Sequence, residues 1–251
     1  MPTWINLAWT LAYADVRNRY RRSIIGPFWI TIAMGVMVAS IGFVFGSLFK
    51  SPMQEFLPFI TVGLIIWAYI TGTIQEGSMS FIDAEGTIKQ LHMPMFVHVL
   101  RVLFRNLIIL AHNALIFPLV LFLMNGHFSV SSLLFLPGLF LIFMCLSWIT
   151  PLLAIICTRY RDVSQIIISI LQVMFYLTPI IWMPALLTER VGEILLQFNP
   201  FFHFLEVTRA PLLGELPNPM SYIILIAMAI LGWIISLYVY FKKCHRVAYW
   251  L

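Results

Sequence analysis

Four arginines stand close together near the start of the chain, directly before a long uncharged segment. Guanidinium groups bind phosphate oxygens, and they are also kept out of hydrocarbon. Such a cluster can therefore bind anionic lipid headgroups, or it can simply hold this end of the chain on the cytoplasmic side. We predict a headgroup-facing cluster made of Arg17, Arg19, Arg21 and Arg22.

A second set of polar residues lies inside the apolar stretch 163–182. The spacing i, i+4, i+7 and i+11 places these residues on one helical face. Polar groups in hydrocarbon are tolerated where they face protein or water. The stripe therefore predicts either the lining of a path across the membrane or polar contact between helices. Its members are Gln165, Ser169, Gln172 and Tyr176.

Aromatic residues make up 15% of the chain and recur near the ends of its apolar runs. Interfacial belts and core packing explain most of them. A path lined with rings is the alternative, because the C–H faces of sugars stack on aromatic rings without a fixed hydrogen-bond pattern. In that interpretation Phe28, Trp29 and Tyr69 line the path together with the polar stripe.

Two charged segments lie on the predicted cytoplasmic side. The first, residues 75–100, contains Glu76, Asp83, Glu85 and Lys89, and the second is the short TRYRD loop with Arg159, Arg161 and Asp162. Such loops are either plain connectors or surfaces against which a cytosolic partner presses, because binding residues concentrate on loops.

The sequence contains none of the catalytic or metal-binding motifs that we searched for, namely HExxH, GxSxG, Walker A and CxxC. Its three cysteines lack paired spacing, and no carboxylate falls in the middle of an apolar run. Ion-coupled transporters usually need such a buried acid or a broken helix. We therefore expect no catalytic site, metal or cofactor in this chain, and an external energy source.

Composition indicates whether the chain folds in water or in a membrane. Of the 251 residues, 61% are hydrophobic and only 10% are charged, and the mean hydropathy is +0.95. A soluble domain carries about 25% charged residues. The chain is therefore predicted to be an all-α polytopic membrane protein that forms one domain over residues 1–251.

Six apolar runs are long enough to cross a bilayer. The predicted spans are 27–49, 57–74, 105–124, 133–157, 163–182 and 222–241. Residues 1–22 form an amphipathic helix suited to the membrane interface. The region 183–221 is too polar for a further span and contains two short helices, 186–198 and 201–210.

The basic residues set the predicted orientation. With the N-terminus inside, 12 of the 15 Lys and Arg residues fall on the inner side, and only Lys50, Arg190 and Arg209 fall outside. The acids divide evenly between the two sides. This is the form that the positive-inside rule takes, so both termini are predicted to be cytoplasmic.

Four motifs resemble one known family over essentially the whole chain. They are RNRYRRSIIGPFW before the first span, TRYRD before the fifth, YLTPIIW at the end of the fifth, and NPFFHFLEVTRAPLLGE after it. Together they resemble the polysaccharide-exporting permeases of the ABC type-two exporter family, which carry O-antigen, capsule or teichoic acid.

The resemblance implies a homodimeric inner-membrane permease paired with two copies of an ATPase subunit that binds ATP and Mg. Its cargo would be a polysaccharide linked to undecaprenyl diphosphate, with O-antigen preferred. Segment 76–90 and the TRYRD loop then resemble the ATPase contacts, and 186–198 and 201–210 resemble periplasmic gate helices. The alternatives are an ABC exporter of a drug or small lipid, an integral membrane enzyme and a passive channel.

Overall fold

The computed structural model describes residues 2–19, 21, 23, 25–26, 28–91, 93–184 and 196–251. All regular structure within these ranges is helical. The α-helices are α1 Pro2–Arg19, α2 Phe28–Phe49, α3 Met53–Asp83, α4 Glu85–Gln90, α5 Phe96–Ala114, α6 Ile116–Leu123, α7 Phe135–Arg159, α8 Val163–Leu177, α9 Pro200–Leu212 and α10 Pro219–Trp250. A 3₁₀ helix, Val130–Leu134, precedes α7.

Helix α3 is the centre of the bundle. In its most apolar window 78% of the residues are buried, against 11% for α2. It packs against α2, α5, α7, α8 and α9, while α10 packs mainly along α7. Because α3 is apolar on all sides over 59–70, it can be surrounded by other helices. The described core is therefore built around α3.

Five helical segments are long and apolar enough to cross a membrane, so this is a multi-pass membrane protein. The predicted second span lies inside α3, which continues to Asp83 and includes the first part of the predicted coupling segment. The predicted fifth span, 163–182, is helical only over Val163–Leu177. Fifteen residues extend about 22 Å, which is less than the hydrocarbon thickness of about 30 Å. Six spans therefore remain a prediction.

The helix predicted over residues 1–22 is present as α1, Pro2–Arg19, and part of its predicted apolar face is buried. Ala8, Ala12 and Val16 are buried, and α1 lies along α5. The Trp9 ring meets the Phe104 ring edge to face, with centroids 5.4 Å apart. Small residues on the buried face let α1 approach α5 closely.

Small residues also set the contact between α2 and α3. A Cβ at Gly42 would collide with the Leu57 side chain, and one at Gly46 would lie 2.5 Å from Met53 Sδ. At these two glycines α2 therefore packs closely against the next helix of the same chain. Most of the remaining α2 surface is exposed.

The second predicted short helix is present as α9. Asn199 caps it, because its side-chain oxygen accepts a hydrogen bond from Phe201 N at 2.9 Å, and Pro200 occupies the first turn. The first predicted helix, 186–198, lies largely outside the described residues. The role of both segments as gates is untested and remains a prediction.

Candidate functional site

A groove of about 320 Å³ lies between α3 and α8. Its walls are aromatic rings and neutral polar groups, and the residues that line it are Trp67, Thr71, Gln75, Leu171, Gln172, Phe175 and Tyr176. None of these side chains is charged. Rings and amides of this kind suit a neutral polyhydroxyl ligand, which stacks its C–H faces and hydrogen-bonds its hydroxyls.

Ring packing fixes the wall of this groove. The Phe175 ring lies between its neighbours, with centroids 5.9 Å from Trp67 and 5.4 Å from Tyr176. Trp67 is buried, whereas the Tyr176 side chain is 72% exposed. Tyr176 is therefore the ring that a ligand in the groove can reach, and Trp67 and Phe175 hold it from behind.

The residues predicted to line a path fall in several places. Gln172 and Tyr176 line the groove, and Gln165 and Ser169 continue along the same exposed face of α8. Tyr69 is buried in the core.

The two remaining path residues, Phe28 and Trp29, begin α2, each 54% exposed, and the Phe28 ring packs on His112. The structure brings neither of them into the groove. The assignment of all seven residues to a path remains a prediction.

An ionic network joins α1, α3 and α5 at the opposite end of α3 from its start at Met53. Asp15 Oδ2 accepts hydrogen bonds from Arg101 Nε at 2.7 Å and Arg105 Nη1 at 3.0 Å. Arg105 Nη2 also donates to Glu76 Oε2 at 2.9 Å. The same carboxylate oxygen accepts from Asn106 Nδ2 at 2.7 Å. The Arg105 guanidinium therefore connects α1 to the central helix α3.

Electrostatics in this network favour the ionised carboxylate of Asp15. Partial burial raises the pKa of Asp15, but hydrogen bonds and charges from Arg101 and Arg105 outweigh it and hold the pKa below its usual value. The pKa of Asp83, which lies about two turns beyond Glu76 on α3, shifts the other way. Burial and the charge of Glu76 raise the pKa of Asp83, although Arg105 opposes them.

The predicted coupling residues divide into anchored and exposed groups. Glu76 belongs to the ionic network. Glu85 and Lys89 pair with each other along α4 at 2.6 Å. In the TRYRD loop, Arg161 and Asp162 are exposed.

Arg159, the last residue of α7, is also exposed, but its guanidinium is in contact with aromatic rings. It lies 5.4 Å from the Tyr160 ring and 5.0 Å from the Trp250 ring at the end of α10. The TRYRD loop and the end of α10 therefore lie together. Contact of these residues with an ATPase is untested and stays a prediction.

The arginines predicted to face headgroups are only partly available for that role. Arg17 and Arg21 are exposed, whereas Arg19 Nη2 donates to Glu76 Oε1 at 3.4 Å. Arg22 lies outside the described residues. The role of all four at headgroups remains a prediction.

Sequence reasoning did not find the Asp15–Arg101–Arg105 contacts. Arg101 and Arg105 entered the prediction only among the 12 basic residues of the inner side. Their i, i+4 spacing, which puts both on one face of α5, was the available signal. The matching acid lies 86 positions from Arg101, and nothing local identifies it.

Comparison with known proteins adds the family. The model of a family described as "ABC-2 type transporter" matches residues 6–213, which is most of the chain. The chain belongs to the ABC-2 type transporter family. The match begins within α1 and extends through α9, so it covers the interface helix, the groove and the ionic network of this ABC-2 chain.

Two named relatives are similar to this ABC-2 chain. The O-antigen export system permease protein RfbA of Myxococcus xanthus is 23% identical over 195 residues, which cover 76% of this chain and 74% of that protein. The protein of the same name from Klebsiella pneumoniae is 24% identical over 192 residues, which cover 74% of this chain and 72% of the relative.

Proposed function

We propose that this chain is the membrane permease subunit of an ABC transporter that exports a lipid-linked polysaccharide, with O-antigen as the preferred cargo. The named function of both relatives, O-antigen export, supports this cargo. The lipid is undecaprenyl diphosphate in this proposal. A separate nucleotide-binding subunit binds ATP and Mg and supplies the energy.

The observation that carries the proposal is the uncharged groove between α3 and α8. A polymer of sugars has to slide past its binding groups, so no contact can be very strong. Aromatic faces give attractive but undirected contacts, and the amides of Gln75 and Gln172 donate to or accept from any hydroxyl. The groove therefore suits repeated sugar units.

The proposed architecture is a homodimer in the bacterial inner membrane. The exposed apolar surface of α2 and the exposed face of α8 are the surfaces that a second copy and the polymer would cover. With α8 and the residues that follow it as a sixth span, both termini lie in the cytoplasm. Two permease copies pair with two ATPase copies.

In this proposal the ATPase, as it moves, pushes on three segments of the permease. These are the end of α3, helix α4 and the TRYRD loop. α3 is the central helix, so a push at Asp83 moves the element that forms one wall of the groove. The chain itself contributes no catalysis. It converts partner movement into displacement of the polymer.

The test uses the permease and its ATPase, copurified and reconstituted in vesicles with lipid-linked O-polysaccharide. We expect ATP-dependent transfer of polymer across the bilayer. Replacing Tyr176 or Gln172 with Ala should lower the rate about tenfold, the effect of losing about 1.4 kcal/mol of contact energy. Val173→Ala is the matched control, because Val173 is exposed on α8 without lining the groove.

Two results would contradict the proposal. One is ATPase stimulation by small amphiphilic drugs but not by polysaccharide, which would favour the small-molecule exporter. The other is polymer transfer by the permease alone, without ATP. If Tyr176→Ala and Val173→Ala lower the rate of polymer transfer equally, export remains the function of the chain. The polymer then does not pass along the groove.

A further inference from the structure

A second cavity, of about 570 Å³, lies where α3 begins and α9 ends. Its polar lining comes from three stretches of sequence, and its charged residues are Glu55, Glu206, Arg209 and Glu215. Glu55 precedes Asp83 by 28 positions on the same helix, which is about 42 Å of helical rise. The cavity is therefore at the opposite end of the bundle from the ionic network.

Arg209 is the central feature of the cavity wall. Its side chain is almost fully buried, and its guanidinium carbon lies 3.9 Å from the centroid of the Phe59 ring. Within the described part of the chain it makes one hydrogen bond, from Nη1 to Pro179 O at 2.6 Å. A guanidinium has five N–H donors, so four of them have no partner among the residues that the structure describes.

The carboxylates nearby do not neutralise this arginine by direct contact. No Asp or Glu oxygen in the described ranges lies within 4.0 Å of Arg209 nitrogen atoms. Glu206 and Glu215 are nevertheless close enough to raise the pKa of Arg209, although burial dominates and lowers it to about 10. The guanidinium is thus charged at neutral pH, and the cavity lies among its donors and the carboxylate acceptors.

Charge decides what class of ligand fits. Among the described lining residues, three carboxylates and one guanidinium give a formal charge of about −2 at neutral pH, which disfavours an anion such as a phosphate or an acidic sugar. A divalent cation is also disfavoured, since no three Asp, Glu, His or Cys side chains in the described ranges converge as metal ligands. Hydroxyl groups fit, because each can donate to a carboxylate and accept from Arg209.

We infer that this cavity is a second saccharide subsite, which binds a neutral polyhydroxyl segment of the polymer at the exit end of the permease. The inference rests on the proposed function. A volume of about 570 Å³ is within the range of small-molecule sites, about 300–1,000 Å³. The Glu206 and Glu215 carboxylates accept hydrogen bonds from sugar hydroxyls. The Arg209 guanidinium donates hydrogen bonds to sugar hydroxyl oxygens. Binding at the exit would bias the polymer against sliding back between ATPase strokes.

The experiment places a photoreactive benzoylphenylalanine at Gln54, an exposed position on the cavity wall. The permease–ATPase complex in nanodiscs is irradiated with fluorescent O-polysaccharide that has been freed of its lipid by mild acid. We expect a crosslink at Gln54 that E206Q/E215Q lowers at least tenfold. Glu→Gln preserves shape, and the control is Arg246→Gln, which removes an exposed charge from α10 and should leave the crosslink unchanged.

Further experiments distinguish neutral from acidic ligands, and this cavity from the α3–α8 groove. Neutral dextran oligomers should compete for the crosslink, and oligogalacturonate, an acidic sugar, should not. Tyr176→Ala in the α3–α8 groove should leave the crosslink in place. Equal competition by both sugars, or loss of the crosslink in Arg246→Gln, would overturn the assignment.

The two proposals fail in different ways. If the wild-type complex exports polymer but Gln54 gives no crosslink, or E206Q/E215Q leaves it unchanged, the exit subsite is wrong and the proposed function stands. If the complex exports no polysaccharide at all, the proposed function is wrong.

Discussion

Arg105 on α5 donates from Nη1 to Asp15 Oδ2 on α1 at 3.0 Å, across 90 positions of sequence. The same side chain donates to Glu76 on α3. The Arg105 and Asp15 side chains are 16% and 18% exposed, so solvent screens this pair less than a surface pair. Arg105 therefore joins α1 to the central helix α3, and Arg101 makes a second pair with the same Asp15.

Replacing Arg105 should weaken the attachment of α1 to the rest of the bundle. Arg105→Met leaves two partly buried carboxylates with fewer donors, and we expect a loss of about 2–3 kcal/mol in the free energy of unfolding. SDS titration of the purified permease, followed by circular dichroism, measures it. The control is Lys89→Met, which removes an exposed pair on α4 and should have no measurable effect. Equal effects of the two substitutions would refute the structural role.

Acid should weaken the same contact in a defined range. The pKa of Asp15 is lower in the folded protein than the usual 3.8. Its pairing therefore contributes fully to stability above about pH 4 and loses that contribution as the pH falls through the lower folded value. Unfolding free energy measured from pH 7 to pH 2 should show this loss. In Asp15→Asn this part of the pH dependence of the unfolding free energy should be absent. If the substitution leaves the pH dependence unchanged, Asp15 is not its source.

α7 and α9 pack closely because residue 138 on α7 is a glycine, which has no side chain. A Cβ on Gly138 would collide with the backbone carbonyl of Val207, which cannot rotate away. Gly138→Ala should cost about 1–3 kcal/mol of unfolding free energy, as overpacking does. In Gly86→Ala the new methyl meets open space on α4, and stability should stay or rise slightly. Identical melting curves for wild type and Gly138→Ala would show that the helices can move apart freely.

The exposed basic loop should affect coupling rather than folding. Arg161→Ala is predicted to lower polymer exported per ATP about fivefold, the effect of losing about 1 kcal/mol of charge contact with the partner. Arg159→Ala should do the same and also free Trp250 from its cation–π contact. Export and ATP hydrolysis are measured together at low and high salt. Normal coupling in both variants, with folded permease, would exclude the loop as a contact.

Some properties of this protein follow from local sequence. The membrane environment, the helical class and the family were predicted correctly, because hydropathy, helical periodicity and motif spacing are properties of local sequence. The polar stripe on α8 was visible for the same reason. Its exposed face was predictable, and the groove beside it was not.

Tertiary structure decided which helix is central and which charges meet. Several apolar helices have similar hydropathy, so sequence alone does not identify α3 as the buried one. Arg209, assigned by sequence to the outer side, is buried against Phe59. Asp15 and Glu76 meet Arg105 only because three helices pack together. Contacts between remote residues depend on the geometry of the whole bundle, and no local pattern records it.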